Sequence, residues 1–266
     1  MALTPQGQRL TEANRLRQIR LAAQAAGVAL VLWDDLSASD LDASTPAWLA
    51  ANTALANRFG EQSKDATASY IERYRAAEVG AATGQIVTPI ADGLLTSQVL
   101  LLAGPVRVKQ LIKSGVAGGD ALRAARTGFL GMMRREVMQP GRKTIDLTTD
   151  QDQAAIGWRR VSDGDPCSFC ALLCSRGPVY RSRGYAGADP TQGLRMKFHA
   201  HCGCSAEIVY GSWEPNADEQ AYVDSYKSAV ASVNAAGAKR SPQNILREMR
   251  GNGSFRDSPS VRRVAT

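Results

Sequence analysis

Apolar residues recur at three- and four-residue spacing along most of the first 140 positions, the period of amphipathic helices rather than of strands. Over residues 9–33, Leu10, Ala13, Leu16, Ile19, Ala23, Ala26 and Leu30 predict one long helix with these side chains inward. Arg9, Arg15, Arg17 and Arg20 then fall on solvated sides. Residues 34–44 are acidic and read as a loop. Ser44-Thr45-Pro46 supplies a capping hydroxyl and a first-turn proline, which predicts a second helix with Trp48, Ala51, Leu55 and Phe59 buried and Gly60 as its stop. A third helix is predicted over Ser63–Glu78, with Ala66, Tyr70, Tyr74 and Ala77 on one stripe and Gly80 at its end. The tyrosines on that stripe read as core. Thr88-Pro89 opens an apolar segment through Leu94, Leu95, Val99 and Leu102, closed by Gly104-Pro105, and a short helix runs on to Lys113. Asp120 caps a helix to Met138, with Leu122, Ala125, Phe129, Met132, Met133 and Val137 inward.

Beyond this point the helical period lapses. Ile145–Gln153 is polar and reads as a linker. Ile156–Val161 predicts a strand that feeds the turn Asp163-Gly164-Asp165-Pro166, and a short helix follows Cys170. Pro178-Val179-Tyr180 is strand-like; Gly184, Gly187, Pro190 and Gly193 mark a long loop; and Ala206–Tyr210 predicts a final strand. A helix from Pro215 to Ala236 places Tyr222, Tyr226, Val230 and Val233 in register, and Ser241-Pro242 starts a short helix to Arg250. After Gly251-Asn252-Gly253 the tail is small, polar and basic, a composition that stays disordered on its own.

Candidate chemistry is confined to one window. All five cysteines and both histidines lie between Cys167 and Cys204: Cys167-x-x-Cys170, Cys174, then His199-Ala200-His201-Cys202-Gly203-Cys204. Thiolate sulfur and imidazole nitrogen are the ligands that tetrahedral Zn²⁺ prefers. The Cys-x-x-Cys pair and the His199-x-x-Cys202 pair therefore predict a structural zinc site, with Cys204 able to replace either member of the second pair. The candidate ligands are Cys167, Cys170, His199, Cys202 and Cys204. His201 reads as a neighbour of the site or a packing residue, and Cys174 as a small buried apolar residue. An odd number of cysteines does not suit a disulfide framework, and a redox Cys-x-x-Cys would leave the histidines idle. The fold class expected is mainly α: a helical region over 1–144, a small zinc-stapled α+β module over 145–214, and a C-terminal helix with a flexible basic tail over 215–266. So small a module gains most from a metal, whose binding is worth ~10–16 kcal/mol in small zinc domains.

Charge adds a second theme. The net charge is +7, and the basic residues bunch. Nine lie from Arg107 to Lys143 (107, 109, 113, 123, 126, 134, 135, 142, 143), against Asp120 and Glu136; seven lie from Lys239 onward (239, 240, 247, 250, 256, 262, 263). Such surface attracts phosphate backbones without reading sequence. No apolar run approaches the ~20 residues that span a bilayer, and Met1–Pro5 lacks the basic and apolar regions of a signal peptide. Synthesis in a reducing cytoplasm is expected, where thiols are free to bind metal.

Trp158-Arg159-Arg160-Val161, Pro166-Cys167-x-x-Cys170-Ala171, Arg176-Gly177-Pro178-Val179-Tyr180 and Phe198-His199-Ala200-His201-Cys202-Gly203-Cys204 resemble the MuF-like minor head proteins of tailed phages, in the style of phages infecting actinobacteria. The resemblance covers about residues 156–210. Leu32-Trp33-Asp34, Ser44–Leu49 and Tyr70–Glu78 more loosely resemble the helical N-terminal halves of the same proteins, often called capsid maturation proteases. The resemblance implies a low-copy virion component at the portal vertex or in the head interior, contacting portal protein or major capsid protein and, through basic surface, packaged double-stranded DNA. Two alternatives stand beside it: a capsid maturation protease, and a DNA-binding zinc module. A histidine-dependent protease needs a base near its nucleophile, yet both histidines sit in the cysteine cluster, so no catalytic residue is assigned.

Overall fold

The computed structural model describes residues 2–81, 84–180 and 198–258. Three long helices carry it: α1 (Pro5–Leu32), α2 (Leu41–Val79) and α5 (Gly118–Gln151), each packed against the other two. Two shorter helices, α3 (Gly93–Leu101) and α4 (Arg107–Lys113), lie against this trio. At its far end comes the small mixed unit: β1 (Gly157–Val161), α6 (Ser168–Cys174) and β2 (Ser205–Val209). Helices α7 (Ala217–Ala235) and α8 (Pro242–Asn252) follow and cover α6.

The elements are of the expected kind, but their boundaries and faces are not all as predicted. Helix α1 buries Thr11, Asn14, Gln18, Leu21, Ala22, Ala25 and Ala29, whereas Ala13, Leu16, Ala23 and Leu30 face solvent. The chosen face is small and polar because it must lie close to α2. Gln18 Nε2 donates to Ser63 O and Thr67 Oγ1, both at 3.0 Å, and Thr11 and Tyr70 hydroxyls pair at 2.9 Å.

Gly60 is no stop. The predicted second and third helices are one 39-residue helix, which begins at Leu41, ahead of Ser44, and ends at left-handed Gly80 (φ 75°). Gly60 and Gly141 are instead points of close approach between α2 and α5. A Cβ at Gly141 would lie 2.6 Å from Thr67 Oγ1 and 2.8 Å from Ser63 Oγ, and one at Gly60 would lie 3.2 Å from Pro140 Cγ. Gly104-Pro105 does not close a segment either. The two residues sit inside a one-turn π-helix, Leu102–Val106, that joins α3 directly to α4, the irregularity expected where proline interrupts the helical ladder.

Four apolar clusters result among the described residues, two of which involve the helical trio. In the helical trio, Trp33, Trp48 and Phe129 meet with ring centroids 4.8–5.8 Å apart, one aromatic ring from each side of the bundle. The second core joins the trio to the mixed unit through Tyr70, Ile71 and Tyr74 of α2, Ile145 of α5, Trp158, Leu173, Tyr180 and Ile208. Strands β1 and β2 pair antiparallel from Gly157↔Val209 to Val161↔Ser205, while Tyr180 bridges Trp158 on the other side of β1 and stacks on its indole at 4.6 Å.

Residues 145–151, read as a linker, are the last turns of α5, with Ile145, Asp146, Thr148 and Thr149 buried. Their polarity serves the junction. Asp146 Oδ1 accepts from Trp158 Nε1 at 3.0 Å, and Thr148 bonds the backbone of Val87. The tail departs from expectation as well: Phe255 and Ser258 are buried, and Arg256 N–H reaches Pro166 O. The glycine- and proline-rich loop over 184–193 and the basic residues Arg262 and Arg263 lie outside the described residues.

Candidate metal centre

Three segments build the centre. Cys167 is the N-cap residue of α6 and Cys170 lies in its first turn, so the Cys-x-x-Cys pair wraps the start of a helix. Asp257 substitutes for a capping side chain, accepting from Ser168 N–H at 2.7 Å and Ser168 Oγ at 2.8 Å, with Arg250 Nε donating at 2.8 Å to the same oxygen as Ser168 Oγ. Cys174 stands one turn beyond Cys170 on the same helical face. The second segment is the turn 198–204 that leads into β2, kept tight by Cys202 N–H to His199 O at 3.2 Å and by a left-handed His201 (φ 62°).

These segments bring the predicted ligands together. Cys167 Sγ and Cys170 Sγ lie 3.0 and 3.2 Å from His199 Nε2, and the sulfurs of Cys170 and Cys202 are 3.5 Å apart. The ligand atoms form two triads, Cys167–Cys170–His199 and Cys170–Cys202–Cys204, within each of which every pair is closer than 4.8 Å. No disulfide joins them. His201 is elsewhere: its imidazole lies over Gly131 of α5, where a Cβ would approach its Nε2 to 2.4 Å. Of the two roles open to it from sequence, neighbour of the site or packing residue, this contact is of the packing kind.

The donor set fits a thiophilic cation. His199 Nδ1 lies 2.6 Å from Ala200 O, which makes Nδ1 the protonated nitrogen and leaves the Nε2 lone pair aimed at the sulfurs. Ligands about 2.3 Å from a tetrahedral ion stand roughly 3.8 Å apart, so the Cys170–Cys202 pair would open by only a few tenths of an ångström and the sulfur–Nε2 contacts by more. Electrostatics points the same way. Hydrogen bonds from Cys170, with His199 alongside, pull the Cys167 thiol down to about 4. Donation from Cys170, Cys174 and Cys202 lowers Cys204 well below its ordinary value. Thiolate character is thus favoured at both sulfurs, and contact with Cys167 pushes the His199 pKa up, so an entering ion would displace a proton from Nε2.

What sequence reasoning missed is the third segment, the cationic wall behind the sulfurs. Arg142 of α5, counted from sequence among surface charges, is only 4% exposed and donates to Cys202 O at 2.9 Å and Cys204 O at 2.8 Å. Arg160 of β1 is fully buried. The two guanidiniums sandwich the Phe198 ring, each 3.8 Å from its centroid. Burial pushes the Arg142 guanidinium down to about 10, opposed by the pull of Cys202 and Cys204 in their ionised forms. Two buried cations require nearby anions, and thiolates supply them. A charged pair at 159–160 inside an otherwise apolar strand is the one sequence signal that could have revealed this wall.

Comparison with protein families gives a match to the VG15 protein family over residues 5–229. The chain belongs to the VG15 family. The match takes in the helical trio and the whole metal module, and ends within α7. This VG15 chain is similar to the Gene 15 protein of Mycobacterium phage D29, at 27% identity over 171 residues, covering 52% of the chain and 62% of that relative. The chain thus spans less than two thirds of the relative's length. Family and relative together mark it as a phage protein. No solved structure matches it. Among the described residues, no VG15 helix is long and apolar enough to cross a membrane.

Proposed function

We propose that this VG15 chain is a minor head protein of the MuF-like kind, a structural component held in few copies at the portal vertex or head interior of a phage particle, with zinc as its metal. The observation that carries the reading is the meeting of Cys167, Cys170, His199, Cys202 and Cys204 in one cluster, in a phage protein whose spacing resembles that family. Cysteine-rich coordination favours a closed structural ion, and zinc is the ion those ligands select. Its part is to fasten the turn 198–204 to the start of α6, which fixes the second apolar core against the bundle.

Portal protein and major capsid protein are the partners this reading requires. Exposed Arg107, Lys113 and Arg126 offer charge to packaged DNA. The protease alternative finds little to act with: among the described residues His199 is engaged by cysteines and His201 by α5, so neither histidine is poised beside a serine. Assembly with the gene disrupted tests the proposal. Particles should lack the protein and fail to mature into DNA-filled heads, and purified wild-type virions should contain it at a few copies per particle. Normal titre from the disrupted phage, or absence of the protein from virions, would sink the reading.

A further inference from the structure

Where α1, α5 and β2 meet there is a crevice of about 10 Å³, lined by Asn14, Gln18, Thr67, Arg142 and Ser205 among others. None of the cysteines or histidines lines it. Arg142 and Ser205 are each 4% exposed. Arg142 Nη2 bonds the carbonyls of Cys202 and Cys204, but its Nε and Nη1 are buried with no hydrogen-bond partner among the described residues. Ser205 Oγ is buried and unpartnered in the same way. Unmet donors at such depth are costly, most of all on a charged group.

The acceptors around the crevice are already engaged. Gln18 Oε1 receives Ser63 Oγ, Thr67 Oγ1 receives Gln18 Nε2, and Asn14 Oδ1 receives the same amide at 3.4 Å. No carboxylate lines the crevice, so its one charge is the Arg142 guanidinium. A water molecule needs acceptors as well as donors, whereas an anion needs donors alone. The space has room for one particle of about a water's size, which shuts out sulfate, phosphate and carboxylates.

We propose that Arg142 and Ser205 form a halide site that holds one chloride ion, received by an N–H of the guanidinium and by the Ser205 hydroxyl. The ion ties α5 to the first residue of β2, directly after Cys204, and so backs the metal turn from the side of the bundle.

Bromide is the probe, because it scatters X-rays anomalously. Crystals of the full chain, kept reduced and transferred to millimolar sodium bromide, should show a bromide peak between Arg142 and Ser205. In solution, the urea midpoint at constant ionic strength should rise when gluconate, too large for the crevice, is replaced by chloride. Ser205→Ala, which removes a hydroxyl without a partner, should lose most of that rise while its metal content stays that of wild type. The metal assay on the same samples separates this test from the reading of the metal centre. A water molecule in the crevice, no peak, or a peak at molar bromide only would overturn the site. Equal midpoints in the two salts would overturn it as well, and so would a chloride response kept in full by Ser205→Ala.

Discussion

Asp152 shows how much one side chain at a junction can do. It accepts from Arg75 at 2.8 Å, from Tyr210 Oη at 3.0 Å and from Ala154 N–H at 3.1 Å, and so ties the end of α5 to α2 and to the residue after β2. Burial alone would disfavour its charge, but these hydrogen bonds together hold its carboxyl below the ordinary value of 3.8. A folded-state pKa below the unfolded one stabilises the native state above the unfolded value, and that contribution fades as pH falls through the folded one. Asp152→Asn should therefore lower stability at pH 7, and its deficit against wild type should shrink as the medium is acidified below about pH 4. Denaturant titrations at pH 7, 5 and 3.5 would check it; a deficit that grew toward low pH would contradict the assignment. The buried Arg159, bonded to Glu207 at 2.7 Å and to Glu219, belongs to a different case. There a single cation holds two carboxylates, one of them in the capping box of α7.

At the scale of elements, the helices decide by fit where hydropathy alone decides by oiliness. Gly141→Val should push α5 from Ser63 and Thr67 and cost ~1–3 kcal/mol, read as a lowered urea midpoint. A neutral result would mean that the two helices are less closely seated than their glycines imply. The same closeness explains what could be read from sequence and what could not. Trp48, Tyr70, Tyr74, Phe129 and Val137 were legible as core, because large apolar residues have few other places to go. The face of α1 was not. Leucine spacing pointed to Leu16 and Leu30, while the packed face uses alanines and the amide of Gln18, whose value lies in partners on α2 that no local pattern reveals. Glycine misled for a related reason: at Gly60 it marks contact across helices, at Gly80 an ending, and the sequence spells both alike. In the metal centre, cysteine and histidine carried their own signature, whereas Arg142 looked like any basic surface residue until α5 proved to continue beneath it.

For the whole molecule, the mixed unit that carries the cysteine cluster shares an apolar core with the helical trio. Tyr74 Oη donates to Ile208 O at 2.9 Å, and Tyr70, Ile71 and Ile145 share a core with both strands. Stripping the ion with a strong chelator under reducing conditions should therefore do more than loosen residues 167–204. The thermal midpoint of the entire chain should fall, and the environment of Trp158, which packs in the core shared with the trio, should change in near-ultraviolet dichroism. Chelation that left both signals unchanged would reduce the centre to a surface ornament. The exposed leucines of α3 and the turn after it, Leu94 at 71% and Leu102 at 62% exposed, stand outside this shared core and bear no part of that expectation.

The continuity of α5 has a mechanical side. Phe129 and Arg142 are thirteen residues apart on one continuous helix that runs through Pro140, a span of ~20 Å at 1.5 Å per residue. One end is wedged between two tryptophans and the other grips the carbonyls of the metal turn. A hinge at 145–153 would let a push on the cysteine knuckle dissipate as bending. A strut passes it on as compression, straight into the aromatic wedge. For a part seated, as proposed, in a shell that fills with tightly wound DNA, stiffness along that axis would be worth more than strength at any single contact.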